Sequence, residues 1–190
     1  MIVIGYLFWA LSLLVIGGAV AATVLAGRLG KPRLALFALV PVGLGLLAAV
    51  FGIHLLPEHA AYPAVLALGI AALGVLAGSP LTTVVLDLAS RGAPVRRGAH
   101  GGILIRRERT GEEQEVLRGG TTIGLLERTA IIGSIAVGHP EVIAALIAIK
   151  GLGRFNELDS SAARERFIIG TLASMVWAGA CAALITVTVA

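Results

Sequence analysis

The feature that most constrains this chain is a series of long apolar runs in its first ninety residues. Only five charged residues interrupt them, namely Arg28, Lys31, Arg33, Glu58 and Asp87. A soluble domain of 190 residues must cover its surface with polar groups, and runs of this length leave too few of them. A bilayer imposes no such limit, because about 20 apolar residues cross its hydrocarbon core as a helix that satisfies its own backbone. The pattern therefore predicts an all-α integral membrane protein.

Six apolar segments are predicted to cross the membrane as a transmembrane bundle. Along the chain they cover residues 2–26, 34–56, 62–89, 121–137, 141–153 and 167–189. The third segment contains Ser79-Pro80. Because a proline inside a helix removes a backbone hydrogen bond and bends the helix, we expect a kinked continuous helix there, with a break at Gly78 as the alternative. Residues 1–90 thus hold spans one to three, and residues 121–190 hold spans four to six.

Residues 91–120 form the one clearly water-soluble segment, with seven arginines and four glutamates. Within it, Ile103–Arg109 is mainly basic and Glu112–Arg118 is mainly acidic. Opposite charges on facing strands favour cross-strand pairing. We therefore expect a small cytoplasmic β-hairpin between spans three and four, with an irregular loop as the alternative.

The lysines and arginines of the links predict the topology. They lie in the links between spans one and two, three and four, and five and six, whereas the other two links hold none. Basic links stay in the cytoplasm, so both termini are predicted outside the inner membrane of a bacterium. The net charge of +4 is then explained by topology and by attraction to anionic lipid headgroups, and nucleic acid is not an expected partner.

Charged residues inside the fourth and fifth spans mark the candidate functional site. A charge at membrane depth costs roughly 2.5–3.5 kcal/mol on insertion scales, so such residues usually pair or line a watery cavity. Folding the chain back at Gly138-His139 brings Glu127 level with Lys150, and Asp87 is a candidate partner of Arg128. A salt-bridge network that only fixes the packing is the alternative. The candidate residues for binding a substrate or lipid headgroup are Asp87, Glu127, Arg128, Lys150, Arg154 and Glu157.

Three histidines on the predicted outer side, His54, His59 and His139, form a weak candidate metal site. Imidazole binds zinc, but this spacing matches no standard zinc motif, and ordinary loop residues are the simpler interpretation. No cofactor is predicted, because the chain has no phosphate-binding loop motif. The single cysteine, Cys181, excludes a disulfide within the chain and a cysteine metal cluster.

Four short motifs follow one another in the second half of the chain: Gly124-x-x-Glu127-Arg128, Ala148-x-Lys150, Arg154-Phe155-x-Glu157-Leu158 and Gly170-Thr171-Leu172. In their order and spacing they resemble a family of bacterial inner-membrane proteins of unknown function. Family members also carry a histidine and an aspartate in their first helix, and residues 2–26 hold neither. The resemblance implies no activity. It implies that the charged residues of these motifs matter for structure or for function.

Three functions are compatible with these features. The first is a small transporter, or a protein that binds a lipid or an anion, whose site is the charged cluster near the inner leaflet. The second is an accessory membrane subunit that docks a soluble partner through residues 101–120. The third is an enzyme that acts on a lipid, for which Asp87, Glu127 and Glu157 are too few groups, so that a role other than catalysis is favoured. Stripes of glycine and alanine in the first span also predict close helix packing or a homo-oligomer.

Overall fold

The computed structural model describes residues 2–53, 59, 61–89, 103–106, 113–116, 120–153 and 161–189. A 3₁₀ segment, Pro32–Ala38, leads directly into the second α-helix. The α-helices are α1 Ile2–Leu29, α2 Leu39–Val50, α3 Ala61–Ala89, α4 Gly120–Ala136, α5 Val142–Gly153 and α6 Ser161–Val189. Two short strands, β1 Ile103–Arg106 and β2 Glu113–Val116, pair antiparallel, with Ile103 opposite Val116 and Arg106 opposite Glu113.

Among the described residues, four helical segments are long and apolar enough to cross a membrane, and the fold fits the predicted all-α membrane protein. They are Val3–Leu29, Pro32–Val50, Ala61–Ala89 and Arg164–Val189. The helices α4 and α5 are shorter, with 17 and 12 residues. At 1.5 Å per residue they measure about 26 Å and about 18 Å, whereas the hydrocarbon core is about 30 Å thick. The predicted six spans are therefore not confirmed, because two of the six segments are too short to cross unaided.

Glycines end α1 and α4 by the same mechanism. Gly30 and Gly138 have φ values of +63° and +81°, a left-handed conformation that residues with a side chain rarely adopt. The N–H of the following residue then bonds back to the last turn of the helix, from Lys31 to Ala26 and from His139 to Ser134. The reversal at Gly138 starts the α4–α5 hairpin.

The helix α3 lies at the centre of the bundle and contacts α1, α4 and α6. Its residues Leu73 and Ala77 are fully buried, as are Ala178 and Ala182 of α6. A Cβ atom at Gly74 would come within 3.0 Å of side-chain atoms of both Ile132 in α4 and Cys181 in α6. Small residues thus allow α3, α4 and α6 to approach closely, as is usual for helices packed in lipid.

Contacts between the helices fix their relative directions. Trp9 contacts Tyr62, and Ile16 lies against Gly69, so α1 and α3 run parallel. Gly74 lies against Ile132, and Gly78 lies against Arg128, so α4 runs antiparallel to α3. The helix α3 continues without a break through Pro80.

Candidate functional site

Arg128 is the most deeply placed charge in the described part of the chain, and its side chain is only 2% exposed. Its Nε donates a hydrogen bond to the carbonyl oxygen of Val75 at 2.8 Å. Its Nη1 donates to Ser174 Oγ at 3.1 Å, and its Nη2 donates to Ser79 Oγ at 3.0 Å. One guanidinium group therefore connects α4 to both α3 and α6 through neutral oxygens.

The carbonyl oxygen of Val75 can accept the arginine bond beside its regular helical bond, because a carbonyl oxygen has two lone pairs. The bond that Pro80 removes from α3 is the one to the Leu76 carbonyl, because proline has no N–H. The arginine Nε–H is donated to the neighbouring carbonyl, that of Val75.

Two glycines make room for the guanidinium group. A Cβ atom at Gly78 would overlap Cδ, Nε and Cζ of Arg128, and a Cβ at Gly124 would lie 3.0 Å from its Nη1. Because no side chain stands at either position, the arginine lies flat between α3 and its own helix. Any residue larger than glycine at position 78 would displace it.

The guanidinium group lies near the middle of the bundle. Val75 is the central residue of α3, and Arg128 is the central residue of α4. Ser174 is adjacent to Met175, the central residue of α6. Arg128 therefore lies at the level of the midpoints of the two long helices α3 and α6.

Glu127 and Lys150 form the ion pair that the hairpin geometry predicted. Lys150 Nζ lies 2.5 Å from Glu127 Oε2, and the two side chains are 17% and 10% exposed. The ammonium group also lies 5.9 Å from the centre of the Phe167 ring, within the range of a cation–π contact. This pair connects α4 to α5, so the two neighbouring residues 127 and 128 tie α4 to three different helices.

The predicted pairing of Asp87 with Arg128 is wrong. The arginine donates its bonds at the level of Val75 and Ser79, and Asp87 stands eight residues further along the same helix than Ser79. Eight residues of α-helix correspond to about 12 Å. Asp87 is therefore at the end of α3 and not beside the guanidinium group. The other two predicted members of the cluster, Arg154 and Glu157, lie outside the described residues.

The histidines do not gather into a metal site within the described ranges, where no three residues of the ligating types come together. His139 Nδ1 lies 2.8 Å from Glu141 Oε1 at the exposed tip of the α4–α5 hairpin. A backbone hydrogen bond and then the His139 side chain hold the pKa of the Glu141 carboxyl below its ordinary value. His59 stands beside Tyr62 before α3, and His54 lies outside the described residues.

The sequence interpretation missed the two serines that accept bonds from Arg128. A usable signal was present, because each serine is a hydroxyl in a mainly apolar helix, and hydroxyls in membrane helices commonly bond to neighbouring helices.

Comparison of the chain with protein-family models, with curated proteins and with solved structures finds no match. The resemblance of residues 119–174 to a bacterial inner-membrane family therefore stays a prediction.

Proposed function

We propose that this membrane protein binds an anionic group, either a lipid phosphate or a small anionic solute, at the cluster of Glu127, Arg128 and Lys150. The observation that carries the proposal is the charge balance of the cluster. Glu127 is paired with Lys150, and Arg128 donates to neutral oxygens. Among these three described residues one positive charge is left without a counter-charge.

Neutral oxygens satisfy the N–H groups of an arginine but do not cancel its charge. Removing an ion from water costs several kcal/mol in proteins unless an opposite charge compensates it. The charge of Arg128 is both buried and central in the bundle. Such a position favours an anion nearby, because the attraction between charges is strong where the dielectric constant is low.

Lys150 gives an anion a route to this charge. Its side chain remains partly exposed on the side of α4 that faces α5, and α5 has no buried residue. Arg128 is covered by α3 and α6 on the other side of α4. An anion would therefore bind directly to the ammonium group, while Arg128 would contribute through its electric field.

A series of charge variants tests the proposal. Glu127→Gln raises the charge of the cluster from +1 to +2, Lys150→Met lowers it to 0, and the double variant returns it to +1 with a neutral pair. A unit charge at a distance of about 7 Å contributes about 2 kcal/mol at an effective dielectric constant of 20, or about 30-fold in affinity. We expect affinity to rise in the first variant and to fall in the second. The double variant should bind more tightly than Lys150→Met, because its charge is back at +1, but less tightly than the unchanged protein, because the ammonium group that contacts the anion is missing.

Two probes distinguish the source of the anion. Nanodiscs of phosphatidylglycerol and of phosphatidylcholine report lipid binding by native mass spectrometry, and radiolabelled inorganic phosphate reports solute binding in detergent. Affinity that follows the charge series with either probe supports the proposal. If the folded variants bind each probe with the same affinity as the unchanged protein, the cluster only fixes the packing.

A second function is favoured by β1 and β2. In the described residues the sheet has these two strands, so each strand has an outer edge whose backbone groups can pair with a further strand. This geometry suits the docking of a soluble partner by an accessory subunit. Replacing residues 101–119 by a Gly-Ser linker would then remove that partner from affinity-purified membranes and leave insertion unchanged. Unaltered co-purification would exclude this role.

A further inference from the structure

We propose that the α4–α5 hairpin is re-entrant. It enters and leaves the membrane at the face where α3 ends, and its tip, His139–Glu141, forms the floor of a water-filled depression open to the opposite face. The depression provides an aqueous entrance toward the middle of the bundle. This topology rests on the geometry of the helices and does not depend on anion binding.

The contacts between α3 and α4 show that the hairpin tip does not reach as far as Ala61, the first residue of α3. Gly74 lies against Ile132, and Gly78 lies against Arg128. Each step forward in α4 thus corresponds to one step back in α3, and Gly138 falls level with Leu68. The helix α3 continues for seven more residues to Ala61, which is about 10 Å of helix.

Aromatic side chains mark the membrane boundary at that end of the bundle. The rings of Tyr6 and Trp9 pack edge-on against Tyr62, with centroids 5.3 and 5.0 Å away. Trp9 Nε1 also donates to the Tyr62 carbonyl at 3.0 Å. Tryptophan and tyrosine concentrate at the interface between lipid and water. Tyr62 is six residues beyond the level of Leu68, so the tip lies about 9 Å deeper than this interface.

The chemistry of the tip requires water at that depth. His139 and Glu141 have side chains that are 67% and 70% exposed. A hydrated imidazole–carboxylate pair is costly to place in hydrocarbon. Water that descends to the tip removes this cost, because it solvates both groups where the protein leaves them uncovered.

The end of α5 at Gly153 is also about 10 Å short of the last residue of α3, Ala89. Lys150 pairs with Glu127, so Gly153 falls level with Gly124 in α4 and with Thr82 in α3. Ala89 lies seven residues further, about 10 Å away.

A re-entrant hairpin also keeps every basic link on one face, since the hairpin returns to the side from which it came. The charge rule is therefore satisfied by four spans and one hairpin as well as by six spans.

Thiol labelling tests the proposal in a Cys181→Ala background, which removes the single cysteine of the chain. Three variants carry one new cysteine each: Glu141→Cys at the tip, His59→Cys beside α3 and Lys31→Cys in the basic link. Sealed vesicles are treated with a small charged methanethiosulfonate and, separately, with a maleimide on a large polyethylene glycol polymer. Labelling after denaturation confirms that each thiol is present, and His139→Cys repeats the measurement should Glu141→Cys not fold.

We expect the tip cysteine to react with the small reagent from the same face as the cysteine at position 59. The polymer reagent should label position 59 but not the tip. Position 31 should react only from the opposite face. Equal polymer labelling at the tip and at position 59 would mean that the hairpin reaches the surface and crosses the membrane fully. A tip that reacts with neither reagent, or only from the face of position 31, would exclude the depression. None of these outcomes depends on the affinity for anions, so this proposal and the proposed function can fail separately.

Discussion

The replacement of Gly78 by alanine is the sharpest test of the role of Arg128. The new methyl group would occupy the space of three atoms of the arginine side chain. Those atoms cannot withdraw without loss, because hydrogen bonds to Val75, Ser79 and Ser174 hold the guanidinium group in place. We therefore expect one added carbon atom to break the hydrogen bonds that join α4 to both α3 and α6.

The size of the effect follows from the bonds that would be lost. Hydrogen bonds between helices in membranes contribute about 0.6 kcal/mol on average and up to about 2 kcal/mol in model peptides. A charged donor belongs in the upper half of that range, so three bonds amount to between about 4 and 6 kcal/mol. For a chain of 190 residues, each kcal/mol shifts the melting temperature by about 2–4 °C. We expect the midpoint to fall by about 8–24 °C.

Thermal unfolding in detergent, followed by circular dichroism, measures this change. Gly133→Ala is the matched control, because it lies in α4 and a Cβ atom there meets nothing within 4 Å. Alanine is favoured over glycine in a helix by up to about 1 kcal/mol, so the control should unfold at an unchanged or slightly higher temperature.

A double variant separates a clash with the arginine from any other cost at position 78. In an Arg128→Met background the methyl group of Gly78→Ala meets no guanidinium, and the second change should have little additional effect. The reasoning is refuted if Gly78→Ala melts like Gly133→Ala. It is also refuted if the two changes are additive, since residues in direct contact should be coupled.

Three further predictions concern other parts of the bundle. Lys150→Met should destabilise the protein by leaving Glu127 buried without its partner, and exchanging the two residues (Glu127→Lys with Lys150→Glu) should recover most of the melting temperature. If the melting temperature of the exchanged variant stays as low as that of Lys150→Met, the ion pair is contradicted. Trp9→Phe removes the hydrogen bond to the Tyr62 carbonyl and should cost about 1 kcal/mol in chemical unfolding, whereas an unchanged midpoint would count against that bond. Gly30→Ala places a side chain at φ +63° and should cost about 1–2 kcal/mol, so equal stability would show that α1 does not need the left-handed residue.

The sequence predicts much of the helical architecture because apolar length is a direct physical signal. The segments predicted at residues 2–26, 62–89 and 167–189 correspond to α1, α3 and α6, with ends that differ by a few residues. The number of spans is harder to predict. Hydropathy marks where a segment is apolar, but the reversal at Gly138 depends on one backbone conformation, and it leaves α5 with 12 residues.

In the candidate site, too, one part could be predicted from the sequence and another could not. The Glu127–Lys150 pair was predictable, because two neighbouring helices joined by a short turn fix which residues are level. The partners of Arg128 were not, because a guanidinium group donates to carboxylates, hydroxyls and carbonyls alike, and sequence alone favours a charged partner. The arrangement of α3, α4 and α6 placed Ser79 and Ser174 beside Arg128 and left Asp87 at the end of its helix.

The bonds of Arg128 also set an order for the assembly of the protein during synthesis. Val75 and Ser79 precede the arginine in the chain, so they are already made when α4 emerges. Ser174 lies 46 residues after Arg128 and belongs to α6. The charged helix therefore reaches its final bonds only when α6 has been inserted. A nascent chain that stops before α6 carries an arginine with half of its helix partners missing, which would expose it to membrane quality control.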